Sequence, residues 1–162
     1  MDRKLIDEFE TGGDKLKKAI AGLSREDLLW VPPRGSEIGL WSIQQVVLHL
    51  TDDEIIWTTR MKSVIAEEHP KILGYDESKY ASHLFYDAQD PQVAVQMLDM
   101  NRRQFSIVLR HLPESAFARK GEHNDIGFFT LEQAVEWINE HMDHHCHYIA
   151  LKREKLGKAI AE

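Results

Sequence analysis

The sequence predicts an all-α fold in which four long helices pack as a bundle and long loops join several of them. Apolar residues recur at spacings of three and four in four long segments, the pattern of helices with one buried face. No segment shows a convincing alternation of apolar and polar residues, and no internal repeat is visible. The chain has 162 residues, a length that suits one domain spanning residues 1–162.

The first amphipathic pattern predicts a helix over residues 3–22, with Leu5 and Phe9 on its apolar face. Gly12 and Gly13 interrupt this pattern. Each glycine destabilises a helix by about 1 kcal/mol relative to alanine. We therefore expect a kink or a loosened turn at these two residues.

A connection rich in proline and glycine, residues 24–40, precedes the second helix. The start of that helix is marked by Ser42 as N-cap and by Gln45, three residues later, as its reciprocal partner. Pro70 lacks a backbone N–H and cannot continue a helix. The second helix is therefore expected to end at about Glu68.

The third helix is predicted between two prolines. Residues 71–89 show no clear periodicity and indicate a loop with, at most, short helical turns. Asp90 followed by Pro91 is typical of a helix start, because proline suits the first helical position. Pro113 ends the helix.

The last helix repeats the start signal of the second. It follows an irregular stretch, residues 119–127, and opens with Thr130 as N-cap and Gln133 three residues later. Gly157 favours an end at about Leu156.

Composition and charge narrow the function. Hydrophobic residues make up 43% of the chain and charged residues 29%, which is ordinary for a globular protein. The formal charge of -7 argues against nucleic-acid binding, which requires clustered Lys and Arg. The nearest basic run, residues 152–155, is interpreted as a solvated last helical turn with cations favourably placed at a helix C-terminus.

The expected location is the cytoplasm. A single cysteine, Cys146, excludes an intramolecular disulfide and suits a reducing compartment. The first ten residues are charged where a signal peptide would be apolar, and no run approaches about 18 consecutive apolar residues, so no membrane span is expected. We interpret Cys146 as a free thiol, because no base shares its helical face.

Four histidines lie within seven residues of the last helix. At roughly 100° per residue, His141 and His145 fall inside the apolar stripe. His144 lies at the edge of that stripe, and His147 points to the opposite side. Only the pair spaced by four residues can therefore hold one cation from one face.

A third ligand is expected from the second helix. His49 is the histidine outside the last helix that lies in a strong helical pattern near the buried side. With His141 and His145 it would hold a divalent ion of the zinc or nickel kind and leave one position open for water or substrate. Asp53, one turn after His49, could orient the His49 ring by accepting its other N–H, or could approach the ion itself.

Each of these residues also has a purely structural interpretation. A histidine on an apolar face is more often a hydrogen-bonded core residue than a ligand, although a buried pair without a partner is costly. The tryptophans of the helices indicate core or pocket wall: Trp41, Trp57 and Trp137. The remaining histidines are interpreted as surface or loop residues: His69, His83, His111 and His123.

Two segments together resemble one known family. Residues 41–54, W-S-I-Q-Q-V-V-L-H-L-T-D-D-E, resemble the W-S-x-x-E-x-x-x-H-L-x-D-x-E segment of the DinB-like, or YfiT-like, superfamily. Residues 141–149 resemble its closing H-x-x-x-H motif. Gln45 stands where the family often has Glu, a change that keeps the helix cap.

The resemblance implies a fold and a chemistry. The fold is an up-down-down-up four-helix bundle, often dimeric, with one metal ion held by His49, His141 and His145. Characterised relatives are metal-dependent enzymes that act on low-molecular-weight thiols, and members differ widely in reaction.

The leading hypothesis is therefore a thiol S-transferase that brings a small-molecule thiol and an electrophilic substrate together in a pocket walled by Trp57. Asp53 is the candidate catalytic residue and Trp57 the candidate cofactor contact. The alternatives are a metal-dependent hydrolase that uses metal-bound water and a non-enzymatic, metal-binding stress-response module. A homodimer is expected.

Overall fold

In the computed structural model, which describes residues 2–160, four long helices form a bundle beside a small sheet. The all-α bundle predicted from the sequence is confirmed. The elements in chain order are α1 (Lys4–Ile20), α2 (Arg25–Leu29), α3 (Ile43–Ala66), β1 (Lys71–Ile72), α4 (Glu77–His83), a 3-10 turn (Tyr86–Ala88), α5 (Pro91–His111), a second 3-10 turn (Glu114–Ala118), β2 (Lys120–His123), β3 (Gly127–Thr130) and α6 (Leu131–Lys155).

The order of packing explains the long connections. Helices α1 and α3 each pack against both α5 and α6, so α1 and α3 lie across the bundle from each other. A chain that leaves α1 must cross the end of the bundle before α3 begins, and residues 21–42 make that crossing. Buried apolar side chains from all four long helices fill the interior.

The two capping boxes predicted from the sequence are present. The Ser42 hydroxyl accepts a hydrogen bond from the Gln45 backbone N–H at 3.1 Å, and Gln45 Oε1 accepts one from the Ser42 N–H at 2.9 Å. Thr130 and Gln133 form the same pair at 3.1 and 2.9 Å. These contacts satisfy backbone donors that a helix start leaves free. They fix the starts of α3 and α6, the two helices that carry the candidate ligands.

The expected break in the first helix is wrong, because α1 runs without interruption through Gly12 and Gly13. The reason is the close approach of α5. A Cβ on Gly13 would lie 2.5 Å from Asp99 Oδ1, and a Cβ on Gly12 would overlap the guanidinium of Arg102. The glycines therefore serve helix packing rather than a kink.

A three-stranded sheet forms where the sequence indicated only irregular chain. Strand β1 pairs with β2 in parallel, and β2 pairs with β3 in antiparallel register. Strands of two to four residues are too short to show an alternating pattern. Gly121 lets β2 approach α3 closely, since a Cβ there would lie 2.9 Å from the side chain of Val64.

The interpretation of residues 152–155 as a solvated turn is wrong for two of them. Lys152 is 2% exposed and Arg153 is 7% exposed. Arg153 Nη1 donates to the carbonyl oxygens of Ala19 and Ala21, at 3.0 and 2.9 Å. A helix end leaves its last carbonyls without partners, so the end of α1 attracts this cation into the interior.

One further expectation concerns membranes. Among residues 2–160, none of the helices combines the length and the apolar character that crossing a bilayer requires.

Candidate metal centre

The structure brings the three candidate ligands to one point. His49 projects from α3, and His141 and His145 project from α6 one turn apart. His141 Nε2 lies 3.1 Å from His49 Nε2 and 2.9 Å from His145 Nε2. One ring nitrogen from each histidine lies within 4.8 Å of the others. The expected convergence of α3 and α6 at these residues is therefore present in the fold.

The surroundings keep two of the rings neutral. Burial is the main cause that lowers the pKa of His49 to about 4, and the charge of the neighbouring His141 is the second. Burial and the adjacent histidines lower the pKa of His145 to about 3. At neutral pH both rings therefore carry a free nitrogen lone pair, which is the form that binds metal.

Asp53 supports the cluster, but through a different ring from the one expected. Its Oδ2 lies 3.0 Å from His141 Nδ1, a charge contact that lacks the geometry of a hydrogen bond. The hydroxyl of Tyr75 donates to Asp53 Oδ1 at 2.9 Å. Burial favours a higher pKa for the carboxyl, but the contacts with His141 and Tyr75 outweigh it and lower that pKa. Asp53 is thus an anion placed to orient His141, not His49.

His49 keeps one nitrogen without a partner. Its side chain is buried, and Nδ1 has no hydrogen-bond partner among the described residues. The Trp41 ring packs edge-on against it, with ring centroids 5.0 Å apart. Burying an unpaired polar atom costs free energy, so hydrogen bonding at Nδ1 does not account for the burial of His49.

The donor set fits a divalent transition metal. A tetrahedral site with nitrogen–metal distances of about 2.0–2.1 Å separates its nitrogens by roughly 3.3–3.4 Å. The observed separations of 3.1 and 2.9 Å need to widen by only a few tenths of an ångström, a movement within reach of side-chain rotation. Three neutral imidazoles suit zinc, nickel and related ions rather than calcium or magnesium.

Two cavities reach the cluster. The first, of about 500 Å³, is bordered by His145, Trp41 and Glu77 and extends along α6. The second, of about 310 Å³, is bordered by His141, Asp53 and both Trp57 and Trp137. A further cavity, of about 840 Å³, lies in a charged groove beside β2 and contains none of the three ligands, so we assign no chemistry to it.

Glu77 is a site residue that the sequence did not reveal. It opens α4, and its Oε2 lies 4.0 Å from His49 Nε2 although the side chain is 59% exposed. Tyr75 was missed for the same reason. Both belong to residues 71–89, where the absence of periodicity gave no signal of which residues return to the bundle.

His123, interpreted from the sequence as a surface or loop residue, is buried at 7% exposure. It stacks on Trp57 at a centroid distance of 6.3 Å. The pairing of β2 into the unforeseen sheet carries His123 against α3, so that interpretation is wrong. The contact forms part of the support behind Trp57, which itself borders the second cavity as expected.

The remaining groups of the last helix lie outside the cluster. His144 and His147 are exposed. Cys146 is a free thiol, and burial raises its pKa to about 11. A thiol with so high a pKa is a poor nucleophile at neutral pH.

Comparison with known proteins identifies relatives along most of the chain. A sequence model described as the DinB superfamily matches residues 8–149. YfiT of Bacillus subtilis, named as a suspected metal-dependent hydrolase, is 30% identical over 155 residues, which are 95% of this chain and 85% of that protein. A Halalkalibacterium halodurans protein of the same named activity, BH0277, is 26% identical over 71% of this chain and 68% of its own.

Solved structures give the same fold. The YfiT structure, described as a four-helix bundle of unusual topology, matches with a TM-score of 0.87 at 28% identity over 95% of this chain and 86% of that chain. The match confirms the bundle topology expected from the sequence. A mycothiol-dependent maleylpyruvate isomerase matches with a TM-score of 0.69 at 9% identity, over 90% of this chain and 59% of that one. At that identity the likeness concerns the fold alone.

Proposed function

The chain belongs to the DinB superfamily, and from that premise we propose that it is a metal-dependent enzyme in which His49, His141 and His145 hold one divalent transition ion. The observation that carries the proposal is the convergence of three imidazole nitrogens, two of them on rings that burial keeps neutral. These three nitrogens have only one another as partners, and the single N–H of a neutral ring cannot satisfy two neighbouring lone pairs, whereas one metal ion accepts all three.

The proposed reaction is transfer to a low-molecular-weight thiol, with zinc or nickel as the ion. When bound, such an ion lowers the pKa of a thiol and so supplies a nucleophile at neutral pH. Two cavities meet the histidine cluster, which gives room for a thiol on one side and an electrophile on the other. Hydrolysis requires one organic substrate and water, whereas transfer requires two organic reactants, so two cavities at the cluster favour the transferase.

The chain's own residues prepare the reactants. Asp53 places a negative charge 3.0 Å from His141 Nδ1, which favours this orientation of the ring, while Trp41 packs against His49 and Trp57 borders the cavity beside Asp53. Glu77 Oε2, 4.0 Å from His49 Nε2, is placed to receive the thiol proton. The sulfur then bonds to the electrophilic carbon, and the leaving group departs with its electron pair.

Metal content is the first test, measured by plasma mass spectrometry on protein purified without a histidine tag or chelator. We expect about one transition ion per chain in the wild type. His141→Ala/His145→Ala should remove the ion and keep the helical circular dichroism. The matched control, His144→Ala/His147→Ala, changes two exposed histidines of the same helix and should keep the ion. Wild-type protein that refuses zinc and nickel contradicts the proposal.

Thiol chemistry is tested on the metal-loaded protein. Conjugation of a small thiol across a panel of electrophiles, lost in the double variant, is the expected result. Absence of both thiol binding and conjugation contradicts the transferase.

A metal-dependent hydrolase is the second candidate, favoured by the names of the relatives in Bacillus subtilis and Halalkalibacterium halodurans. It predicts turnover that needs no thiol. A non-enzymatic metal-binding module predicts instead a cobalt-substituted spectrum that exogenous ligands leave unchanged, because no coordination position would be open.

We further propose a cytoplasmic homodimer that binds no nucleic acid. The dimer rests on the family resemblance and the rest on composition, with a net charge of -7 and one cysteine. Light scattering during gel filtration measures the oligomeric state, and a monomeric mass contradicts the dimer.

A further inference from the structure

A buried lysine lies in the wall of the larger cavity at the metal centre. Lys152 follows His145 by seven residues on α6, so the two share one face of the helix about 10 Å apart along its axis. Both border the cavity of about 500 Å³, and Tyr148 borders it between them. One cavity is therefore bordered both by a candidate metal ligand and by a buried lysine.

This ammonium has no counter-ion among residues 2–160. Lys152 is 2% exposed, and its one described hydrogen bond runs from Nζ to the Ile38 carbonyl oxygen at 2.6 Å. The Tyr148 ring adds a weaker contact, 5.6 Å from Nζ to the ring centroid. Burial lowers the pKa of the ammonium, and no carboxylate opposes that effect. An ammonium has three donors, and buried charges are normally paired.

The neighbouring Arg153 shows what a purely structural cation looks like here. Its guanidinium donates to the carbonyl oxygens of Ala19, Ala21 and Lys158, at 2.8 to 3.0 Å. All three acceptors lie at or just beyond the C-terminal ends of α1 and α6. Arg153 borders none of the cavities described above. Lys152 differs because its side chain borders a cavity and its ammonium has a single described hydrogen-bond acceptor.

We propose that Lys152 forms a subsite for a carboxylate of the thiol or electrophile whose reacting atom lies at the histidine cluster. The inference rests on the proposed function and narrows its substrate class to molecules whose anionic group and reacting atom span two turns of helix, about 10 Å along the axis. Lysine and carboxylate form a charge-assisted pair, and the low polarity of a buried site strengthens it.

The competing explanation is a loop anchor. A Cβ on Gly39 would lie 3.9 Å from Lys152 Nζ, and the ammonium donates to the carbonyl oxygen of Ile38. The lysine therefore also holds the 38–39 segment against α6. An anchor alone predicts no preference for an anionic ligand. The two explanations therefore differ in ligand selectivity rather than in the effect of a substitution on stability.

The test uses cobalt-loaded full-length protein and two probes of equal chain length, 8-mercaptooctanoate and 8-mercaptooctan-1-ol. The extended chain is long enough to reach from the cluster to the ammonium. Titration of the cobalt–thiolate absorption band gives each affinity. We expect the acid to bind at least about tenfold more tightly than the alcohol, since a hydrogen bond to a charged group contributes about 1.5–3 kcal/mol. Equal affinities overturn the subsite.

Variants assign the selectivity to this residue. Lys152→Met, similar in size but neutral, should reduce the preference for the acid to less than about twofold, and Lys152→Arg should retain most of it. A preference that persists in Lys152→Met overturns the assignment. Should Lys152→Met fail to fold, equal affinities of the acid and the alcohol for the wild type still overturn the subsite, and Lys152→Arg still has to retain the preference.

Failure of the proposed function has a separate signature. If neither thiol produces a cobalt–thiolate band, thiol binding at the cluster is wrong whatever Lys152 does. Calorimetry with octanoate, which has no thiol, then tests the subsite alone. Binding to wild type that Lys152→Met weakens at least about tenfold supports it, and equal binding overturns it.

Discussion

Helix α3 carries two buried polar clusters that differ in how completely they are paired. On one side Glu54 Oε2 accepts from Arg102 Nε at 2.7 Å, and both side chains are 1% exposed. The other guanidinium nitrogens of Arg102 donate to the carbonyl oxygens of Phe9 and Ile138, at 3.2 and 3.1 Å. Each donor nitrogen of this cluster thus has a protein acceptor.

The histidine cluster, on the other side of α3, is left open. His49 Nδ1 has no partner among the described residues, and the three Nε2 atoms face one another. The difference teaches how to separate structural from functional polarity inside one core. A cluster that only stabilises the fold satisfies its groups internally, whereas a cluster that binds a ligand keeps lone pairs for it.

Breaking the closed cluster should have the largest effect. Arg102→Met leaves Glu54 without its cation, in a place where burial already raises the pKa of the carboxyl. We expect the free energy of unfolding to fall by about 3–5 kcal/mol, as for other buried ion pairs that lose one partner. Urea denaturation at pH 7.5 measures the loss.

The control replaces both members of the pair. Glu54→Met/Arg102→Met removes the stranded charge and should recover a large part of the lost stability, because an apolar pair of similar volume often substitutes for a buried ion pair. If Arg102→Met proved as stable as the wild type, the pairing of Glu54 with Arg102 would not contribute to stability.

A second change tests how tightly that cluster is packed. Gly12→Ala directs a methyl group into the Arg102 guanidinium, and we expect a loss of about 1–3 kcal/mol despite the better helix propensity of alanine. In the Arg102→Met background the same substitution should cost less, because the shorter side chain can yield. An equal cost in both backgrounds, measured by thermal unfolding, would place the clash elsewhere.

The open cluster should respond in metal affinity rather than in stability. Asp53→Asn removes the charge beside His141 Nδ1. Loss of a group that orients a metal ligand typically lowers metal affinity by about 10–100-fold. Competition for zinc with a chromophoric chelator measures the change. Asp52→Asn is the matched control, since Asp52 pairs with the Tyr86 hydroxyl away from the histidines. Equal zinc affinities in the two variants would remove Asp53 from the site.

The sequence was sufficient for the parts of the fold that local signals determine. The Ser42 and Thr130 capping boxes and the Asp90-Pro91 start all lie where expected, because caps act over three residues. The unbroken α1 could not be predicted, because the side chain that requires a glycine at position 12 belongs to Arg102, 90 residues away. Such partners become visible only after the helices are packed.

The candidate site divides in the same way. Spacing by one helical turn predicted the pairing of His141 with His145, and the helical pattern around His49 indicated the third ring. The contact between Asp53 and His141 depends on how α3 and α6 are rotated, which periodicity does not determine. Glu77 comes from a segment without any periodic signal, so its return to the cluster requires the tertiary structure.

The smallest effect expected near neutral pH is the change of stability when a candidate ligand is replaced in metal-free protein. His145→Leu exchanges a half-buried imidazole for an apolar side chain, and at pH 7.5 we expect a difference below about 1 kcal/mol. Acid should separate the proteins. The folded-state pKa of His145 is about 3, against 6.5 in an unperturbed chain, so the unfolded state binds the proton first as the pH falls. The wild type should therefore lose stability between pH 6.5 and 4 more steeply than His145→Leu, by up to about 1.4 kcal/mol per pH unit.

His144→Leu, one residue away and exposed, should follow the wild type. Parallel curves for all three proteins would mean that the His145 ring takes a proton as readily in the folded protein as in the unfolded chain, and that the cluster is not kept neutral for a metal ion.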